Sequence, residues 1–175
     1  FTLSGQTLRL WATIYNRSSQ RWTVGVRYLI DTQVGVNDGA PLMAPNVGVR
    51  TYETDLPAPP FINWFSYDRY PDPLLIGYGT LDTPPTRMVF AWWPTAVDSL
   101  WDYNPNPNQA FYTPGYTRSP ESDSAVLIYL TESAEPLAEY VLSTYYGSGP
   151  APAESLRRQR VVRALNDLRM AVKSS

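Results

Sequence analysis

Before residue 153 the chain rarely runs far without a proline or a glycine, and 17 Pro and 10 Gly punctuate the whole. Proline removes a backbone donor and glycine weakens a helix interior, so this punctuation disfavours a helical bundle and favours short strands joined by turns. The stretches between agree. In Arg21 to Gly39 (RWTVGVRYLIDTQVGVNDG), Trp22, Val24, Val26, Tyr28 and Ile30 fall on one side of an extended chain and Thr23, Gly25, Arg27 and Leu29 on the other. That is period-two patterning, and it breaks into Asp31, Gly35, Asn37, Asp38 and Gly39, residue types that make tight turns.

The same alternation sets Leu8, Leu10, Ala12 and Ile14 against Arg9, Trp11, Thr13 and Tyr15. The polar run 16–20 then predicts a hairpin with the strand from Arg21. Asn16-Arg17-Ser18 also matches a glycosylation acceptor, although a turn is the expected reading of so short a match. Further strands are expected over 47–54, 74–81, 86–93, 124–131 and 139–146, with 61–70 a strand or a helical turn. Residues 56–60 (LPAPP) are not expected to form a ladder. A short helix is expected over 94–103 and a long loop over 104–123. The 86–93 run (TRMVFAWW) is continuously apolar, which suits a strand covered on both faces. With no βαβ alternation and no repeat, the expected fold is an all-β antiparallel sandwich of about 8–10 strands.

The end of the chain differs. After the linker-like GSGPAP (147–152), Val161, Val162, Leu165, Leu168 and Val172 recur at helical spacing among arginines, which predicts one basic amphipathic C-terminal helix. The expected division is a β-sandwich domain over 1–149 and a linker with that helix over 150–175. Residues 154–175 hold six basic and two acidic side chains, a balance of +4, and the preceding body carries eight basic and fourteen acidic, a balance of −6. An acidic body with a short basic tail argues against a nucleic-acid binder. The basic face, with Arg157, Arg158, Arg160, Leu165 and Leu168, is the expected partner-binding element, directed at other protein chains or neighbouring domains.

Several chemistries are absent. Without cysteine there are no disulfides or thiolate sites, and without histidine there is no Ser-His-Asp or Cys-His machinery and no His-ligated metal. Lys173 is the only lysine, which disfavours Schiff-base chemistry. No apolar run approaches the roughly 20 residues of a membrane span. The sequence opens at Phe1, and a processed piece of a longer product is expected.

Six segments together resemble an uncharacterised family of bacterial β-sandwich modules found within larger, exported proteins. They are VGVRYLIDTQVGVNDGAP (24–41), GTL (79–81), MVFAWW (88–93), LWDY (100–103), DSAVLIYL (123–130) and TYYGSG (144–149). The resemblance implies a β-sandwich and an extracellular or cell-surface location; the family has no established activity, so no catalytic residues carry over. The basic segment lies outside it.

Three candidate sites follow from the residues. The loop from Asp31 offers Asp31, Asn37 and Asp38 as hard oxygen ligands for calcium, set against a turn bonded to itself. Carboxylate pairs Glu53/Asp55, Asp68/Asp72 and Asp98/Asp102 are the material of a glycosidase, a chemistry that needs no histidine. Trp64, Tyr67, Trp93, Trp101 and Tyr103 are candidates for an aromatic platform that binds a ligand. The leading expectation is a non-catalytic structural and protein-interaction module of a larger surface or exported assembly. The alternative is a carbohydrate-binding or carbohydrate-acting domain.

Overall fold

The computed structural model describes residues 2–4, 7–115 and 121–147. It is mostly antiparallel β-structure in two sheets, with eleven strands and one helical turn among the described residues. The strands are β1 (Thr2–Ser4), β2 (Thr7–Tyr15), β3 (Trp22–Asp31), β4 (Leu42–Ala44), β5 (Gly48–Arg50) and β6 (Thr54–Pro57). They continue with β7 (Asn63–Tyr67), β8 (Ile76–Thr80), β9 (Arg87–Trp92), β10 (Ser124–Ala134) and β11 (Glu139–Gly147). One sheet has the order β1-β2-β11-β8-β7-β4-β5 and the other β3-β10-β9-β6. The strand count exceeds the expected eight to ten because β1, β4 and β5 are three residues each.

The sheets face one another across one core, a β-sandwich-like arrangement. Leu42, Trp64 and Leu142 from the seven-stranded sheet cluster with Ile30, Met88, Phe90, Val126, Ile128 and Leu130 from the four-stranded one. Alternate residues of β9 and β10 (Val89, Ala91, Ala125, Leu127, Tyr129) form a second cluster with Ala96, Trp93 and Tyr103 on the far side. The segment from 93 to 106 therefore covers the outer face of β9 and of the first half of β10. That explains the unbroken apolar runs at 88–92 and 125–130, since a strand buried on both faces needs no polar alternation.

The expected hairpin of β2 and β3 does not form. β2 pairs with β1 and β11 in one sheet, and β3 pairs with β10 in the other. The 16–21 turn is an arch that crosses between sheets, matched by the crossing from β10 to β11. Asn16 holds the two crossings together. It is 7% exposed, its Nδ2 donates to the Gln20 and Ala134 carbonyls at 2.7 and 2.9 Å, and its backbone bonds Leu137 and Ala138. An amide so engaged is not presented as a glycosylation acceptor.

Smaller differences have local causes. The expected strand over 47–54 splits into β5 and β6, one in each sheet. β6 runs on through Leu56 to Pro57, which the LPAPP run had argued against; it is an edge strand, where a missing donor is tolerated. Residues 63–67 are a strand, not a helical turn. The helix expected over 94–103 is a single turn, Trp93–Ala96, after which Leu100 is 85% exposed. The expected C-terminal helix and linker lie outside the described residues.

Candidate functional site

In the four-stranded sheet, β9 and the first half of β10 are buried on both sides, with Thr23 and Gly25 of β3 exposed, whereas the seven-stranded sheet exposes Trp11, Thr13, Tyr15 and Val141 on its outer face. Its composition follows from register. On β2, Leu10 and Ile14 turn into the core, which leaves Arg9, Trp11, Thr13 and Tyr15 outward, with Trp11, Thr13 and Tyr15 exposed. Trp11 lies opposite Ser143 of β11, Thr13 opposite Val141, and Tyr15 opposite Glu139. Further along, one row crosses the sheet from Thr7 through Gly147 and Tyr78 to Phe65, Met43 and Val49. The Phe65 and Tyr78 rings are 5.9 Å apart.

A charged group anchors this face. The Arg9 guanidinium lies over Trp11 and Tyr145, at 5.9 and 5.7 Å from the ring centroids. It pairs with Asp82 at 3.4 Å and donates to Ser143 Oγ at 3.2 Å, while the Ser143 hydroxyl donates to Asp82 Oδ2. The Asp82 side chain is only 7% exposed. An exposed Trp11 and a buried Tyr145 thus flank a partly desolvated Arg–Asp pair, and aromatic residues and arginine are the groups that carry most of the energy at contact surfaces.

The five expected platform residues are not brought together. Trp64 is fully buried in the core, stacked on Tyr146 at 5.3 Å, and Gly79 is what makes room for it: a Cβ there would overlap the indole. Tyr103 is also buried, its hydroxyl donating to Glu53. Burial first, and that bond second, hold the phenol above its ordinary pKa. Trp93 packs on the second cluster. Trp101 is partly exposed, stands edge-on to Tyr129 at 5.3 Å and borders a shallow groove of about 350 Å3 beside Gly25 of β3. Only Tyr67, on β7 with Phe65, belongs to the open face. Of the residues that do compose it, Arg9, Trp11, Thr13 and Tyr15 were signalled by the alternation along 8–15.

Three of the paired carboxylates, Glu53, Asp55 and Asp68, are occupied by structure. Glu53, 5% exposed, accepts from Trp92 N at 2.8 Å, from Tyr103 and from Asn106 N at 2.6 Å. It thus fixes the covering segment to β9. Asp55 pairs with Arg87 at 2.7 Å. Asp68 Oδ1 accepts from Leu74 N and Leu75 N. Asp72 sits at a positive φ in that loop, and Asp98 and Asp102 are exposed.

Of the expected calcium ligands, Asp31 and Asp38 do converge. Their third member is Asp123, with carboxylate oxygens of the three within 4.8 Å of one another. Asn37 is instead buried and donates through Nδ2 to the Asp68 carbonyl at 2.7 Å, tying this loop to the next. Asp31 Oδ1 accepts from Gln33 N, the bond of a self-contained turn. Burial, then the charges of Asp31 and Asp38, push the Asp123 carboxyl up to about 7, and burial raises Asp31 as well. Three crowded carboxylates suit a hard divalent cation or a basic side chain equally.

The expected partner-binding residues Arg157, Arg158, Arg160, Leu165 and Leu168 lie outside the described residues. No helix among the described residues is long and apolar enough to cross a membrane. Comparison of the chain with family models, with curated proteins and with solved structures gave no match.

Proposed function

We propose that this chain is a non-catalytic protein-interaction module of a larger exported or surface assembly, and that it meets its protein neighbour through the outer face of the seven-stranded sheet. The observation that carries the reading is the inequality of the two outer faces. The chain covers the middle of one with its own segment 93–106 and leaves Trp11, Tyr15 and Val141 exposed on the other, beside the Arg9–Asp82 pair. A protein surface suits such a face because rings and arginine give contact area at low entropic cost. The bonds that occupy Glu53, Asp55 and Asp68 support a contact role over hydrolysis.

Hydroxyl-radical footprinting tests this on the native assembly against the isolated chain. Trp11 and Tyr15 are expected to be oxidised several-fold less in the assembly. Equal oxidation in both would remove this face from the contact. A carbohydrate reading rests on the same rings, which can stack on sugars, and is favoured if a purified polysaccharide alone protects them.

A further inference from the structure

At one end of the sandwich two loops present apolar side chains to water. Val36 is 61% exposed, Leu74 74%, Leu75 53% and Ile76 47%. They form one patch, because Leu75 packs against Gly35 (a Cβ there would lie 2.9 Å from its Cδ1) and Asn37 bonds the 68–75 loop. Gly35 has φ +62, a conformation that suits glycine. The patch is bordered by acids: Asp31, Asp38 and Asp123 crowd together at the ends of β3 and β10, and Asp68 and Asp72 lie in the other loop. Arg69 is the one basic side chain among the described residues of these loops. An apolar patch in an acidic setting calls for a ligand that is both apolar and basic.

The chain contains such a segment and delivers it here. β11 runs antiparallel to β8, with Tyr145 opposite Thr80 and Gly147 opposite Tyr78. The described chain therefore leaves the sheet heading toward Ile76, about 7 Å away along the neighbouring strand. The eight residue steps from Gly147 to Ser155 reach at most about 28 Å when extended, a tether that keeps the segment beyond Ser155 close to the patch. In that segment Val161, Leu165, Leu168 and Val172 recur at helical spacing. Arg158 falls three residues before Val161 and Arg169 four after Leu165, which sets positive charge beside the apolar stripe.

We infer that residues 155–173 dock on the acidic, apolar end of their own domain, with the stripe on Leu74, Leu75 and Val36 and the arginines facing Asp31, Asp38 and Asp123. The short tether favours the segment's own body over a second copy, since it sets an effective concentration on the order of 1 mM. The inference concerns the loop end and stands apart from the contact proposed for the sheet face.

Hydrogen exchange on the full chain tests it. Against a contact with Kd on the order of 0.1 mM, tethering slows exchange of the Leu74, Leu75 and Ile76 amides about tenfold. That protection is expected to vanish in the Arg158→Glu/Arg169→Glu variant and in about 1 M salt, and to return when the variant also carries Asp38→Lys. Leu74→Ser is expected to weaken it without altering any charge. Equal exchange in the original and charge-reversed chains would overturn the inference. So would protection that rises with protein concentration, which places the segment on a second copy. Protection that follows added calcium and ignores the arginines would assign the carboxylates to a cation and overturn it too.

Discussion

Asn16 shows how much one side chain can decide. Its amide donates to two carbonyls, one in each crossing between the sheets, and its Oδ1 accepts from the Ser18 backbone and hydroxyl. Asn16→Asp preserves the shape and removes both donors, so two carbonyls lose their partner beside a desolvated charge. The expected cost is about 2–4 kcal/mol, read from urea denaturation midpoints. Little of this was legible beforehand, because an Asn followed by Ser and Gln reads as a turn whether or not it is buried. Arg9, Trp11 and Tyr15 were more legible: their alternation with Leu10 and Ile14 already put them on the side away from the core. Missing was the knowledge that no described segment lies over Trp11 and Tyr15. Trp64 is the opposite case, since an aromatic-rich run does not reveal which ring has a glycine beneath it to make room.

Strand periodicity located nearly every long element, yet it is silent about partners. A hairpin and an arch have the same alternation and a similarly short polar turn. What separates them is whether β2 finds β3 or β11, a contact set by residues 139–147 far along the chain. Loop chemistry at the opposite end has the same non-local character, with Asp123 joining Asp31 and Asp38 only through the pairing of β10 with β3. A testable pH dependence follows. The Asp123 carboxyl is raised from 3.8 to about 7, so the folded state binds its proton more tightly than the unfolded state does. Its stabilising contribution is present below about pH 4, falls as pH rises toward 7 and is constant above that. Asp123→Asn should therefore gain stability relative to the original chain across pH 4–7 and hold that gain above it. Thermal unfolding measured in high salt screens the neighbouring charges and leaves burial, the larger cause, intact.

For the whole molecule, the two ends of the sandwich are unlike. Both arches and their Asn16 clasp are at one end, and the apolar loops, the crowded carboxylates and the exit of the chain are at the other. The strand that leads to that exit, β11, is gripped by β2 over nine residue pairs and by β8 over three. Thr7 heads β2 directly opposite Gly147, so tension between the two termini draws both strands from the same end and opens their rungs one after another, as in unzipping. A single-molecule pulling experiment from the two termini should accordingly show a gradual low-force release, where loading in shear would give one abrupt rupture. A domain wired in this way comes apart like a seam whose two threads leave on the same side.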